Sequence, residues 1–195
     1  MKFDKIAVFC GSSPEICPKY NERMFQLGQM LAQKGSALIF GIGDEGLMGQ
    51  VFRGTRSENG YVIGVTTQKL LDLQCKDESI FNHNAEKIVV ENLSVRKDKM
   101  IQDADAILVG PGGWGTYDEF SEFAVMVQIG TTKRKPMIFL NFDGFWNPIK
   151  EHIQRMLEEG FINEFKNNFI SFVDTLDEVY PALEKMQKEI DAYQK

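Results

Sequence analysis

AILVGPGGWGTYDEF, residues 106–120, joins an apolar run without polar alternation to a glycine turn and then to a helical pattern. Pro111 cannot extend a strand ladder, so AILVG must stop there. Gly112, Gly113 and Gly115 let the backbone bend close to a ligand with its N–H groups converging. Similar apolar runs occur at IAVFC (6–10), ALIF (37–40), YVIGV (61–65), KIVV (87–90) and PMIFL (136–140), with FISFV (169–173) as a last candidate strand. Runs of this kind belong to strands buried on both faces of a parallel sheet. Between them, residues 20–33 place Met24, Leu27, Met30 and Leu31 at helical spacing, and residues 47–56 follow a second glycine turn. Phe120, Phe123, Ala124 and Val127 form an i, i+3, i+4, i+7 stripe after the opening turn. The alternation predicts an α/β fold: a doubly wound parallel sheet of about six to seven strands, helices on both faces, right-handed crossovers, and one domain over residues 1–195.

The bulk composition narrows the function. With 22 basic and 28 acidic side chains the formal charge is −6. That balance, without a Lys/Arg block, argues against nucleic acid as a partner. No apolar stretch approaches the roughly 18 residues a membrane span needs, and the N-terminus has no cleavage-site pattern. The expectation is a soluble, cytoplasmic protein with no membrane partner. Cys10, Cys17 and Cys75 are odd in number and lack metal-ligand spacing, which fits reduced thiols and no metal site.

Ligands of doubly wound sheets bind beyond the carboxyl ends of the strands, where CGSS (10–13), GIGDEG (41–46) and GPGGWGT (110–116) lie. GIGDEG matches the G-x-G-x-x-G pattern. A dinucleotide site also wants an acid about 20 residues on, and the next strand ends in Thr66 and Thr67 instead. No nucleoside triphosphate loop of the G-x-x-x-x-G-K-[ST] type occurs. In PGGWGTYDE, Thr116 is expected at or near the helix N-cap, where a hydroxyl, free amides and the positive dipole end suit an anion. A plain glycine-rich strand-to-helix turn is the competing reading. Asp118 and Glu119 are expected in the first helical turn, either as dipole-stabilised surface acids or, for Glu119, as a carboxylate acting on a sugar beside the phosphate. In NLSVRKDKMIQ (92–102), Leu93, Met100 and Ile101 define an apolar stripe that also carries Arg96 and Lys97. Either those cations snorkel to water, or Arg96 meets an anionic substrate or Glu119.

PGGWGTYDE with an upstream RKDKM resembles the PGGxGTxxE and RKxxM motifs of the LONELY GUY (LOG) family, whose members are cytokinin riboside 5′-monophosphate phosphoribohydrolases often mislabelled as lysine decarboxylases. VFCGSS (8–13), GLMG (46–49), VIGV (62–65), KPMIFLN (135–141) and DGFWNPI (143–149) look like further landmarks in family order. The resemblance implies a Rossmann-like homodimer. It also implies hydrolysis of the N-glycosidic bond of a nucleoside 5′-monophosphate, with no metal or organic cofactor. By position, Arg96 and Glu119 match the catalytic pair. Lys97, Gly112, Gly113, Trp114, Gly115 and Thr116 match the substrate-binding segments, and Glu78 matches a substrate-contacting acid.

Four places depart from the family pattern: GIG for GGG at 41–43, VTTQ for VIP at 65–68, LSV for Met-His-x before Arg96, and Val125-Met126 for Thr-Trp. They bear on which base is taken, a prenylated adenine or the plain adenine of AMP. They also motivate an alternative, a nucleotide-binding or sensing protein without turnover. A decarboxylase would need a lysine forming a Schiff base with pyridoxal phosphate, and no S-x-H-K stretch is present.

Overall fold

A computed structural model describes residues 3–74, 83–163 and 168–193. Its centre is a seven-stranded, all-parallel sheet in the order β4-β3-β2-β1-β5-β6-β7. The strands are β1 (Lys5–Phe9), β2 (Ala37–Phe40), β3 (Val62–Thr67), β4 (Ala85–Val90), β5 (Ala106–Val109), β6 (Met137–Leu140) and β7 (Ile170–Val173). Every residue of β3, β5 and β6 is buried, as their unalternating sequences require. At the sheet edge, β4 is exposed at Glu86, Lys87 and Val89 and begins two residues before KIVV.

The helices between strands are α1 (Asn21–Gln33), α2 (Gly46–Ser57), α3 (Gln68–Gln74), α4 (Leu93–Asp103), α5 (Trp114–Ile129) and α6 (Asn147–Glu158), and α7 (Val179–Tyr193) follows β7. Right-handed crossovers put α1 and α2 on one face and α4 and α5 on the other. Among the described residues no helix is long and apolar enough to cross a membrane.

Two glycines bring α1 and α2 to backbone contact. A Cβ on Gly28 would overlap the Val51 carbonyl oxygen, and one on Gly54 would overlap that of Phe25. Gly54→Ala is therefore expected to destabilise the protein by about 1–3 kcal/mol, because the overlap outweighs the roughly 1 kcal/mol that alanine gains in a helix. Urea unfolding should show a lower midpoint at unchanged slope.

α4 is fixed at both ends. Its N-cap Asn92 accepts a hydrogen bond from the Val95 amide at 3.0 Å. At its C-terminus the buried Lys135 donates to the carbonyls of Ile101 and Ala104, at 2.6 and 2.5 Å. Burial pushes that ammonium below the ordinary lysine pKa, against the pull of Asp105 and Asp103. The lysine of KPMIFLN thus clamps the helix that carries Arg96.

Candidate active site

β1 and β5 are neighbours in the sheet, but the chain leaves them toward opposite faces, and a crevice opens where the turns diverge. The two turns touch there: the Gly11 amide donates to the Pro111 carbonyl at 3.0 Å. Gly11's own carbonyl accepts from the amides of Leu47 and Met48 at the start of α2, at 2.9 and 3.1 Å. Above this junction lies a cavity of about 590 Å³, within the usual size range of small-molecule sites. Gly112, Gly113, Trp114, Gly115 and Thr116 line it, as do Arg96, Lys97 and Glu119. Apolar surface comes from Met48, Leu70 and Leu93, on α2, α3 and α4, and from Ile16, Tyr20 and Phe145.

The helix after the cradle begins earlier than its sequence pattern indicates. Gly113, in extended conformation, is the N-cap, and Thr116 is the third helical residue, almost fully buried. Thr116 is thus near the N-cap, within the first turn, but not at it. Its hydroxyl occupies the space that a Cβ on Gly112 would need, which accounts for that glycine. Cβ atoms on Gly113 and Gly115 would meet nothing within 4 Å, and neither residue has positive φ. The fold itself does not demand those two glycines. The early start also moves Asp118 and Glu119 to the fifth and sixth helical positions, beyond the first turn, so dipole stabilisation does not explain them.

Arg96 and Lys97 are both buried, so neither snorkels. Arg96 spans three elements: Nε donates to the Val65 carbonyl on β3 at 3.1 Å, Nη2 to the Gly41 carbonyl after β2 at 3.1 Å, and Nη1 to Glu119 Oε1 at 3.2 Å. Gly41 must be bare, because a Cβ there would overlap Nη2. Lys97 pairs with Asp118 at 2.7 Å and with Glu122. Burial opposes its charge, but those two carboxylates outweigh burial and hold its pKa above the ordinary lysine value. Leu93, expected on the apolar stripe with Met100 and Ile101, is half exposed and lines the cavity, while the other two are fully buried. Trp114 is 88% exposed at the cradle rim. Glu78 lies outside the described residues.

Glu119 is 6% exposed, and burial pushes its pKa from 4.5 up to about 7, a rise that Arg96 limits and Asp118 adds to. A folded-state value above the unfolded one means that the native protein keeps a proton which the unfolded chain has released. This contribution to stability is fully present below pH 4.5 and is lost as pH rises through about 7. Glutamine imitates the neutral carboxyl. Glu119→Gln should therefore gain stability relative to wild type between pH 4.5 and about pH 8, measured by thermal unfolding at both.

Several contributors carried no sequence signal that set them apart, among them the main-chain carbonyl of Val65 and the cavity walls Leu70 and Tyr20, whereas Gly41, Met48 and Phe145 lie in GIGDEG, GLMG and DGFWNPI, which stood out without showing what these residues do. The CGSS turn was visible as a glycine turn after the first strand, and only the topology joins it to the opening cradle.

A family model described as "Possible lysine decarboxylase" matches residues 48–183. Cytokinin riboside 5′-monophosphate phosphoribohydrolase LOG7 of Arabidopsis thaliana is 34% identical over 190 residues, spanning 97% of this chain and 85% of its own length. Cytokinin riboside 5′-monophosphate phosphoribohydrolase LOG of Oryza sativa subsp. japonica is 33% identical over 190 residues, spanning 97% and 76%. Among solved structures, the molybdenum cofactor binding protein of Rippkaea orientalis superposes with a TM-score of 0.66 at 21% identity, over 95% of this chain and 98% of that one, a likeness of fold alone. The glycine cradle, the buried Arg96 and Glu119, and identity to these relatives over nearly the whole chain lead to one conclusion: this protein belongs to the LOG family.

Proposed function

We propose that the protein hydrolyses the N-glycosidic bond of a purine nucleoside 5′-monophosphate, releasing the free base and ribose 5-phosphate. The observation that carries this is the placement of one buried carboxylate, Glu119, on the same helix as an open glycine cradle. Glu119 lies six positions after Gly113, about 9 Å along a helix axis, and helical side chains lean back toward the N-terminus. A phosphate at the cradle amides therefore leaves the ribose beside Glu119. The empty space at Gly113 and Gly115 gives the phosphate room to approach the backbone. Cleavage leaves an oxocarbenium-like sugar, whose positive charge a carboxylate stabilises, while the remote phosphate supplies binding energy. Arg96, fixed by two main-chain carbonyls, holds Glu119 in place. Met48, Leu70 and Leu93 offer an apolar wall for the base.

The decarboxylase description fits the residues poorly. Lys97 is the one lysine among the described residues lining the cavity. Bonded to Asp118 and Glu122 with a raised pKa, it is a poor amine for a Schiff base, which needs the neutral form.

The exposed side of α5 carries Trp114, Val125 and Ile129, spaced by three turns and then one. We infer a homodimer that covers this face, working in the cytoplasm without nucleic acid or membrane; sedimentation velocity tests the assembly. The function is tested by incubating the protein with AMP, isopentenyladenosine monophosphate and a panel of other nucleoside monophosphates, and identifying products by chromatography. Release of base and ribose 5-phosphate is expected, and no base from any of them would sink the reading. Tight nucleotide binding without release would make the protein a sensor instead.

A further inference from the structure

We propose that Glu119 takes up a proton when the phosphorylated ligand binds and then delivers that proton to the leaving base. The inference rests on the nucleotide reading of the cavity. Its basis is the placement of charge around a buried carboxylate. The cations lining the cavity, Arg96 and Lys97, are both already engaged with carboxylates of α5: Arg96 with Glu119, Lys97 with Asp118 and Glu122. Among the described residues Cys10, just after β1, also faces Glu119, and its thiol is held well above its ordinary pKa by burial and by Glu119 itself. An incoming phosphate thus meets no uncommitted cation among the described cavity residues.

The phosphate would sit less than two helical turns from Glu119, on the same helix. A second anion in a water-poor cleft raises the pKa of the first. Burial already raises the pKa of Glu119, so the added charge shifts it further toward the protonated form.

The loaded acid closes the chemical balance. The C1′–N bond breaks with its electron pair going to the base, which takes the proton from the Glu119 carboxyl. The carboxylate left behind faces the positive sugar. Water then adds at C1′ and gives its proton to Glu119, restoring the acid. The sum is nucleotide plus water giving base plus ribose 5-phosphate.

Calorimetry with ribose 5-phosphate, which binds without turnover, tests the first step. Titrations of the full-length protein at about pH 7.5, in two buffers of different ionisation enthalpy, count protons. Wild type should take up roughly half a proton or more, and Glu119→Gln close to none. The glutamine variant separates Glu119 from the phosphate's own ionisation, whose pKa is about 6. Wild-type affinity should also weaken as pH rises, by up to about tenfold per unit. Equal uptake in both proteins, or binding without uptake, overturns the proposal. The second step predicts that kcat falls as pH rises through the pKa of the complex; a kcat that rises there overturns the acid role. Nucleotide cleavage without proton uptake defeats this proposal alone, whereas failure of ribose 5-phosphate and AMP both to bind defeats it together with the nucleotide reading.

Discussion

Glu119→Gln is expected to slow release of base from AMP by a hundredfold or more while ribose 5-phosphate still binds. Glutamine nearly matches glutamate in shape, so the buried site should not collapse. Its amide oxygen can still accept from Arg96 Nη1, but the charge that drew the guanidinium is gone. What it cannot do is give up a proton to the base or present negative charge to the sugar. Positioned acid or base groups contribute about 10²- to 10⁴-fold, and electrostatic stabilisation in a water-excluded site is of similar size. On the proposed reading the phosphate is held by the cradle amides, so its contacts should survive. Single-turnover base release separates chemistry from binding. A variant within about threefold of wild type would remove Glu119 from the reaction, since such a change is under 1 kcal/mol.

Much of the fold was legible in sequence because the strands of a covered parallel sheet announce themselves. AILV, ALIF and MIFL have no polar face; the first and last are wholly buried, and ALIF is buried from Leu38 onward. The edge strand was less clear. Residues 85–90 run AEKIVV, and the exposed charges Glu86 and Lys87 shorten the strand's apparent length. Helix starts were the weakest point. Thr116 has the chemistry of an N-cap, but Gly113 takes that place, and the threonine side chain is used to pack on Gly112.

The candidate site was legible where side chains name their own chemistry, and silent where the backbone acts. Arg96 and Lys97 stand out as charges on an apolar stripe and Glu119 as an acid beside the glycine turn, and the structure gathers the three in one cavity. GIGDEG was harder to read. A glycine there permits a tight turn, a cofactor or a close neighbour, and only the folded chain shows that Gly41 makes room for the guanidinium of a residue 55 positions away. Ile42, in the same turn, holds φ of +57°, a left-handed conformation that a β-branched residue rarely adopts. Its side chain is fully buried, which helps to explain how the strain is tolerated.

Arg96→Ala should lose activity on a similar scale and also destabilise the fold, and the second effect should depend on pH. The substitution leaves the carbonyls of Val65 and Gly41 without this donor, at about 1–3 kcal/mol each if nothing replaces it. It also leaves Glu119 without its buried partner, and breaking a buried ion pair commonly costs about 3–5 kcal/mol. Glu119 has an escape, however, because its pKa, no longer lowered by Arg96, rises further and the side chain can fold protonated. Below its folded pKa the loss is therefore confined mainly to the carbonyls, and above it the cost of burying a charge, or of keeping its proton, is added. Urea unfolding at about pH 6 and about pH 8 should show a larger deficit at the higher pH. Gly41→Ala provides an independent route to the same state: the arginine is retained, but its Nη2 must move away from the new methyl group. Base release should fall in both variants. If Arg96→Ala were equally stable at both pH values, Arg96 would not be what holds Glu119; if Gly41→Ala kept full activity, the position of the guanidinium would not matter to the reaction.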